Sequence, residues 1–210
     1  MKEHFTKYLH LQNLLRATKP KHVLECGALD GENTANLLSL MPEIGYKLTV
    51  LSDDLDLMAT NENVTCIQGV SYLEFPKLQD ASIDFCIIDT DHNYWTLQKE
   101  LLALHPKLTD NALIVIHDVE TFYYDTGLAE DYGNGVEYPA KEIEETGLKA
   151  GGLGTALLDF LSTNRFSYRL VRWLPEGNGC AVIRKNPKEF QIVCMKAMPG
   201  KGKRKEFIHA

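Results

Sequence analysis

The chain has no pair of cysteines at C-x-x-C spacing, and its five cysteines (Cys26, Cys66, Cys86, Cys180, Cys194) are odd in number. Cys66, Cys86 and Cys180 sit inside apolar, strand-like runs and read as buried free thiols, which fits a reducing compartment. Cys26 falls beside two glycines and reads as a small residue suited to a turn. No apolar run approaches the length of a membrane span. The start, MKEHFTKYLH, carries no signal-peptide apolar core, so a cytoplasmic protein with no membrane partner is expected. Positive charge is the scarcer sign, 22 Lys and Arg against 29 Asp and Glu, for a formal net charge of −7. That argues against a general nucleic-acid binder. Internal repeats are absent. So are the G-x-G-x-x-G spacing that lets pyrophosphate touch the backbone and the Gly-Lys-Ser/Thr ending of a P-loop.

What is present suffices for one well-buried domain. The 210 residues are 44% hydrophobic and 24% charged, as in ordinary globular proteins. Residues 1–190 are expected to form that domain. Residues 191–210 form a basic tail ending PGKGKRKEFIHA, read as a solvated, mobile end. A leading helix is predicted over 3–17, where Phe5, Tyr8, Leu9, Leu11, Leu14 and Leu15 recur at helical spacing before Lys19-Pro20. Strands are predicted at 22–25, 47–51, 64–68, 84–89 and 112–117. Helices are predicted at 34–41, 93–105 and, more weakly, 71–75. Alternating apolar strands and helices imply a Rossmann-like, doubly wound α/β sheet, mostly parallel and covered on both faces. Residues 120–151 are rich in acid, Tyr and Gly without a clean period, as expected of a functional insert or lid. A helix at 154–161 follows. FSYRLVRWL and CAVIRK around PEGNG then read as a C-terminal antiparallel β-hairpin.

The most informative stretch is KHVLECGALDGENT, residues 21–34. A strand ends in Glu25, Gly27 and Gly31 follow four apart, and a helix begins. Glycines admit a ligand to the backbone, and the helix N-terminus offers free N–H groups. Asp30 and Glu32 would repel a pyrophosphate but not a cofactor bearing a sulfonium and an ammonium. The second constellation is IIDTDHNYWTLQKELLALHPKLTDNALIVIHD, residues 87–118. Its first strand ends in Asp89, with Asp91 and His92 just beyond, and its last ends in His117-Asp118. In a parallel sheet both ends reach the edge that carries the Gly27 turn. Asp89, His117 and Asp118 therefore converge as a hard or borderline metal site. Asp91 or His92 is the expected N-cap of the 93–105 helix.

Acid-x-Gly-x-x-x-Gly resembles motif I of the class I S-adenosylmethionine-dependent methyltransferases. I-D-x-x-H, a helix with Glu-Leu-Leu and a closing His-Asp resemble the metal-dependent O-methyltransferases, nearest the cephalosporin hydroxylase-like branch. The resemblance implies cofactor contacts from Glu25, Gly27, Ala28, Gly31 and Asp89. It also implies contacts near the adenine from Gly69, Val70 and Ser71, where Val70 replaces the usual Asp. Asp53, with Asp54 as the alternative, stands 22 positions after Gly31, where an acid would accept the ribose hydroxyls. The implied metal ligands are Asp89, His117 and Asp118. Magnesium or manganese is expected, and His117 tilts preference toward manganese, iron or zinc.

The expected activity is methyl transfer to a hydroxyl of a small molecule or sugar. Asp89, His92 and His117 are the catalytic candidates. Either imidazole can take the proton, and His92 leads if His117 ligates metal. Phe122, Tyr123, Tyr124 and Tyr138 are candidate acceptor contacts. The rival readings are a non-catalytic S-adenosylmethionine-binding module and an NAD-linked oxidoreductase. Homo-oligomerisation is left open.

Overall fold

The computed structural model describes residues 2–28, 31–52, 62–120, 152–174, 178–188 and 190, with side chains from residue 9 onward. Helix α1 (Lys2–Thr18) precedes β1 (His22–Cys26), α2 (Glu32–Ile44), β2 (Lys47–Ser52) and β3 (Val64–Gln68). There follow α3 (Ser71–Glu74), β4 (Ile83–Ile88), α4 (Tyr94–Leu104), β5 (Leu108–His117), a helix at Leu153–Thr163 (α5), β6 (Tyr168–Leu174) and β7 (Cys180–Lys185). The seven-stranded sheet has the order β3-β2-β1-β4-β5-β7-β6. Strands β1 to β5 pair in parallel, whereas β7 runs antiparallel to both β5 and β6. The doubly wound sheet and its C-terminal hairpin are as the sequence predicts.

Strand alternation explains the two cores. On one face Val23, Val50, Phe85, Ile87 and Val115 pack against Leu11 and Leu15 of α1 and Leu37, Leu40 and Met41 of α2. On the other, Leu24, Leu51, Cys86, Ile88, Ile114 and Ile116 meet Leu97, Leu101 and Leu104 of α4 and Leu157 and Phe160 of α5. Each fully buried side chain contributes roughly 1.5–3 kcal/mol. No described helix is long and apolar enough to cross a membrane.

Several boundaries differ from expectation. Helix α2 runs past Pro42 and closes at Gly45, whose φ of +84° suits the left-handed cap and whose N–H reaches Met41 O at 2.8 Å. A proline in the last turn forfeits one backbone bond without ending the helix. Strand β5 starts at Leu108, ahead of the apolar run, because Leu108 pairs with Ile83 before an irregularity in register. Cys26 is not a turn residue: it closes β1 and is fully buried. Cys66, on the edge strand, is only half-buried. The expected lid at 120–151 (beyond Glu120), Cys194 and the tail at 191–210 lie outside the described residues.

Candidate active site

The parallel register aligns Cys26 with Ile88 and Ile88 with Ile116. The residues just beyond these, Gly27, Asp89 and His117, therefore share one edge of the sheet. Asp89 N–H donates to Cys26 O at 2.9 Å, and Gly27 N–H donates to Leu51 O at 2.9 Å. Gly27 has φ +82°, and a Cβ there would lie 1.9 Å from the Asp89 carbonyl oxygen. Its missing side chain thus admits the neighbouring strand's backbone. Gly31, at φ +77°, is the N-cap of α2, and no side chain caps that helix. The first-turn N–H groups of α2 thus get no capping bond from it.

Around this turn lies a set of acceptors. Glu25 is fully buried, and its Oε2 accepts from Thr34 Oγ1 at 2.8 Å. Glu25 Oε1 and Asn33 Oδ1 are buried without partners. Burial pushes the Glu25 carboxyl up to about 7; the Thr34 hydrogen bond opposes this and the charge of Asp89 adds to it. Orphaned acceptors beside two acids fit a cationic, amine-bearing ligand and do not fit a phosphate. Ala28 is buried, and its N–H lies 3.5 Å from Ser52 Oγ.

At the β4–β5 end, His117 Nδ1 lies 2.7 Å from Asp89 Oδ2, and Asn33 Nδ2 donates to the same oxygen at 3.3 Å. The His117 side chain is 2% exposed. Its ring lines a cleft between α1 (His10, Leu11, Leu14) and the ends of β5 and β7 (Val115, Cys180). His92 Nε2 lies 3.1 Å from Asp118 Oδ2. One ligand atom each from Asp89, His92 and Asp118 lie within 4.8 Å of one another. Two carboxylates and an imidazole at that separation suit a divalent cation. Of the expected ligand set, Asp89 and Asp118 are in this cluster, while the imidazole that joins them is His92. His117 instead pairs with Asp89. Asp118 itself has φ +57°, a left-handed conformation that Asp and Asn tolerate best.

The cap of α4 is Asn93, neither Asp91 nor His92. Asn93 Oδ1 accepts from Thr96 N at 2.8 Å, and its backbone is extended. Asp91 is buried and accepts from Thr96 Oγ1 at 3.2 Å. A three-residue spacing from Asn93 to Thr96 N–H is what an N-cap requires.

At the end of β3, Gly69 N–H donates to Ser52 O at 3.0 Å, and Val70 is the N-cap residue of α3. Ser71 Oγ donates to Glu100 Oε1, which also accepts from Thr90 Oγ1 at 2.7 Å. Glu100 has no place in the sequence-based site. A signal for it exists: it stands three residues after Leu97 and four before Leu104, on the buried stripe of α4. Thr34 and Asn33 were likewise missed, since only the fold brings them to Glu25 and Asp89. Asp53, Asp54, Phe122, Tyr123, Tyr124 and Tyr138 lie outside the described residues.

Residues 24–119 match the family model described as a methyltransferase domain. No curated protein matches the chain. Among solved structures, a Podospora anserina methyltransferase with bound S-adenosylhomocysteine aligns with a TM-score of 0.60 at 17% identity, over 86% of this chain and 78% of its own. The O-methyltransferase TomG of Streptomyces achromogenes, in complex with S-adenosylmethionine, aligns with a TM-score of 0.59 at 14% identity, over 87% and 80%. The methyltransferase MycE of the mycinamycin pathway, in complex with Mg, S-adenosylhomocysteine and mycinamycin VI, aligns with a TM-score of 0.54 at 17% identity, over 84% of this chain and 48% of its own. The chain thus carries a segment that matches a methyltransferase domain, and its strand order is that of the class I methyltransferase fold, which O-methyltransferases share.

Proposed function

We propose that the protein is an S-adenosylmethionine-dependent methyltransferase that acts on oxygen, methylating a hydroxyl of a small molecule or sugar with the help of a divalent metal. The observation that carries the reading is the convergence of Asp89, His92 and Asp118 at the ends of β4 and β5, next to the Gly27 turn. O-methyltransferases are among the structural neighbours, and the neighbour MycE is in complex with Mg and S-adenosylhomocysteine.

S-adenosylmethionine, when bound, supplies an electrophilic methyl on a sulfonium, and a divalent ion would lower the pKa of an acceptor hydroxyl. Glu25 and the Asn33 amide oxygen would hold the cationic amino-acid end. The ends of β2 and β3 follow in sheet order, so Asp53 would take the ribose, and Gly69, Val70 and Ser71 the adenine. Asp89, His92 and Asp118 would hold magnesium or manganese. His117 would receive the hydroxyl proton. Its Nδ1 would donate to Asp89 Oδ2, leaving Nε2 as the acceptor nitrogen. Transfer of the methyl would need alignment more than chemistry from the protein, and the residues at these strand ends would supply it by holding cofactor and acceptor hydroxyl in place. The apolar wall of Leu11, Leu14 and Val115 beside His117 favours an acceptor with an aromatic or aliphatic body.

The test is a labelled-methyl assay with catechol and sugar hydroxyl panels, manganese present, alongside calorimetry with S-adenosylhomocysteine. Label on oxygen and micromolar binding are expected. Label on nitrogen, or no binding of S-adenosylhomocysteine, would overturn the reading.

A further inference from the structure

Glu100 is fully buried on α4, and the chemistry above leaves it unused. Its Oε1 accepts two hydroxyl hydrogen bonds, from Ser71 and Thr90. Its Oε2 is buried without a partner. A buried carboxyl costs several kcal/mol of desolvation unless its partners repay it. An apolar residue would pack at this helical position at less cost, so the carboxyl calls for a purpose.

The two hydroxyls come from different turns of the cofactor edge. Ser71 opens α3, directly after the Gly69-Val70 turn that ends β3. Thr90 follows Asp89 at the end of β4. In the sheet these strands are separated by β2 and β1. A single carboxyl thus clamps together the two loops that flank the ends of β1 and β2, where the cofactor would lie. The acids and orphaned acceptors place the amino-acid end at β1, so the adenine falls toward β3, on the Ser71 side of the clamp.

We propose that Glu100 is a positioning residue for the adenosine end of the cofactor, holding the Ser71 and Thr90 loops at a fixed separation through one shared oxygen. The proposal rests on the methyltransferase reading above. Burial pushes the Glu100 carboxyl up to about 8, against the opposing hydrogen bonds of Ser71 and Thr90, with Asp91 adding to the rise. Near neutral pH it is therefore largely the neutral acid, with Oε1 as acceptor. A glutamine keeps that acceptor; a leucine does not.

Calorimetry with S-adenosylhomocysteine and with 5′-methylthioadenosine, which lacks the amino-acid end, tests this on wild type, Glu100→Gln, Glu100→Leu and the double variant Ser71→Ala/Thr90→Val. Glu100→Gln should bind both ligands within threefold of wild type. Glu100→Leu and the double variant should each lose at least tenfold, by the same factor for both ligands. If Glu100→Leu does not fold, the double variant decides. Unchanged affinity in folded Glu100→Leu or in the double variant overturns the proposal. So does a loss confined to S-adenosylhomocysteine, or a Glu100→Gln variant as weak as Glu100→Leu. Failure of the wild type to bind either ligand would instead overturn the methyltransferase reading itself.

Discussion

The imidazole of His117 and the carboxylate of Asp89 meet at 2.7 Å across the ends of two adjacent parallel strands. The contact follows from register, because Ile88 pairs with Ile116 and each strand then delivers its next residue to the same edge. An acid that fixes one ring nitrogen leaves the other with a defined role.

Removing that ring should therefore separate catalysis from binding. His117→Ala is expected to cut methyl transfer about 10²–10⁴-fold, the usual worth of a general base. S-adenosylhomocysteine affinity should stay within twofold, since His117 pairs with Asp89 and not with Glu25 Oε1 or Asn33 Oδ1, the groups assigned to the amino-acid end. Paired turnover and calorimetry measurements check this. An equal loss in both would show His117 to be structural.

Gly27→Ala and Gly45→Ala form a matched pair, because both glycines have φ above +80°. At Gly45 a Cβ meets nothing within 4 Å, whereas at Gly27 it would lie 1.9 Å from the Asp89 carbonyl. Gly45→Ala should cost about 1 kcal/mol, the backbone term alone. Gly27→Ala should cost at least ~2 kcal/mol more, because two strand ends must part. Urea denaturation of the two variants checks the difference. Equal midpoints would remove the close-approach argument for Gly27.

The fold was legible in the sequence wherever a single period rules a segment. Val23-Leu24 and Ile114 to Ile116 read as buried strands because apolar residues on both faces leave no other way to cover them. The site was legible where strand ends converge, which brought out Asp89 and Asp118. It was not legible where a choice depends on side-chain direction. Which imidazole joins Asp89 and Asp118 is such a choice: His117 pairs with Asp89 and lines the cleft beside α1, whereas His92 pairs with Asp118 and completes the cluster. The Asn93 cap was hidden among three neighbouring polar residues, any of which caps helices. Glu100 was hidden because a lone acid in a helix usually faces solvent.

Glu100 should also leave a mark on the pH dependence of stability. Its carboxyl is raised from the usual 4.5 to about 8 in the folded chain. Between those values the unfolded chain has released the proton and the folded chain keeps it. The contribution is thus fully present below about pH 4.5 and lost as pH rises toward 8, at up to about 1.4 kcal/mol per unit. Glu25, raised to about 7 by burial, slopes the same way and is present in both proteins. Glu100→Gln should therefore flatten the curve between pH 5 and 8 relative to wild type. Chemical denaturation across that range checks it, and superimposable slopes would mean that Glu100 is ionised in the fold.

The metal expectation rests on Asp118 as much as on Asp89. Asp118 holds φ +57°, its N–H donates to Gly179 O at 2.8 Å, and its Oδ2 lies 3.1 Å from His92 Nε2. Asparagine tolerates the same backbone and keeps the same shape, so Asp118→Asn should change stability by less than about 1 kcal/mol. It removes one of two anionic ligands, and manganese affinity should fall at least about tenfold, as at other carboxylate sites where ligand charge sets affinity. Methyl transfer should fall with it. Chelation of the wild type should likewise stop transfer while leaving S-adenosylhomocysteine binding intact, because Glu25, Asn33 and the Gly27 turn do not need the ion. Manganese titration followed by electron paramagnetic resonance, on wild type and Asp118→Asn, reads the site without requiring an acceptor. Identical manganese binding in the two proteins, or full turnover in chelator with no metal left, would return the Asp89, His92 and Asp118 cluster to a hydrogen-bonded network and leave proton removal to His117 alone.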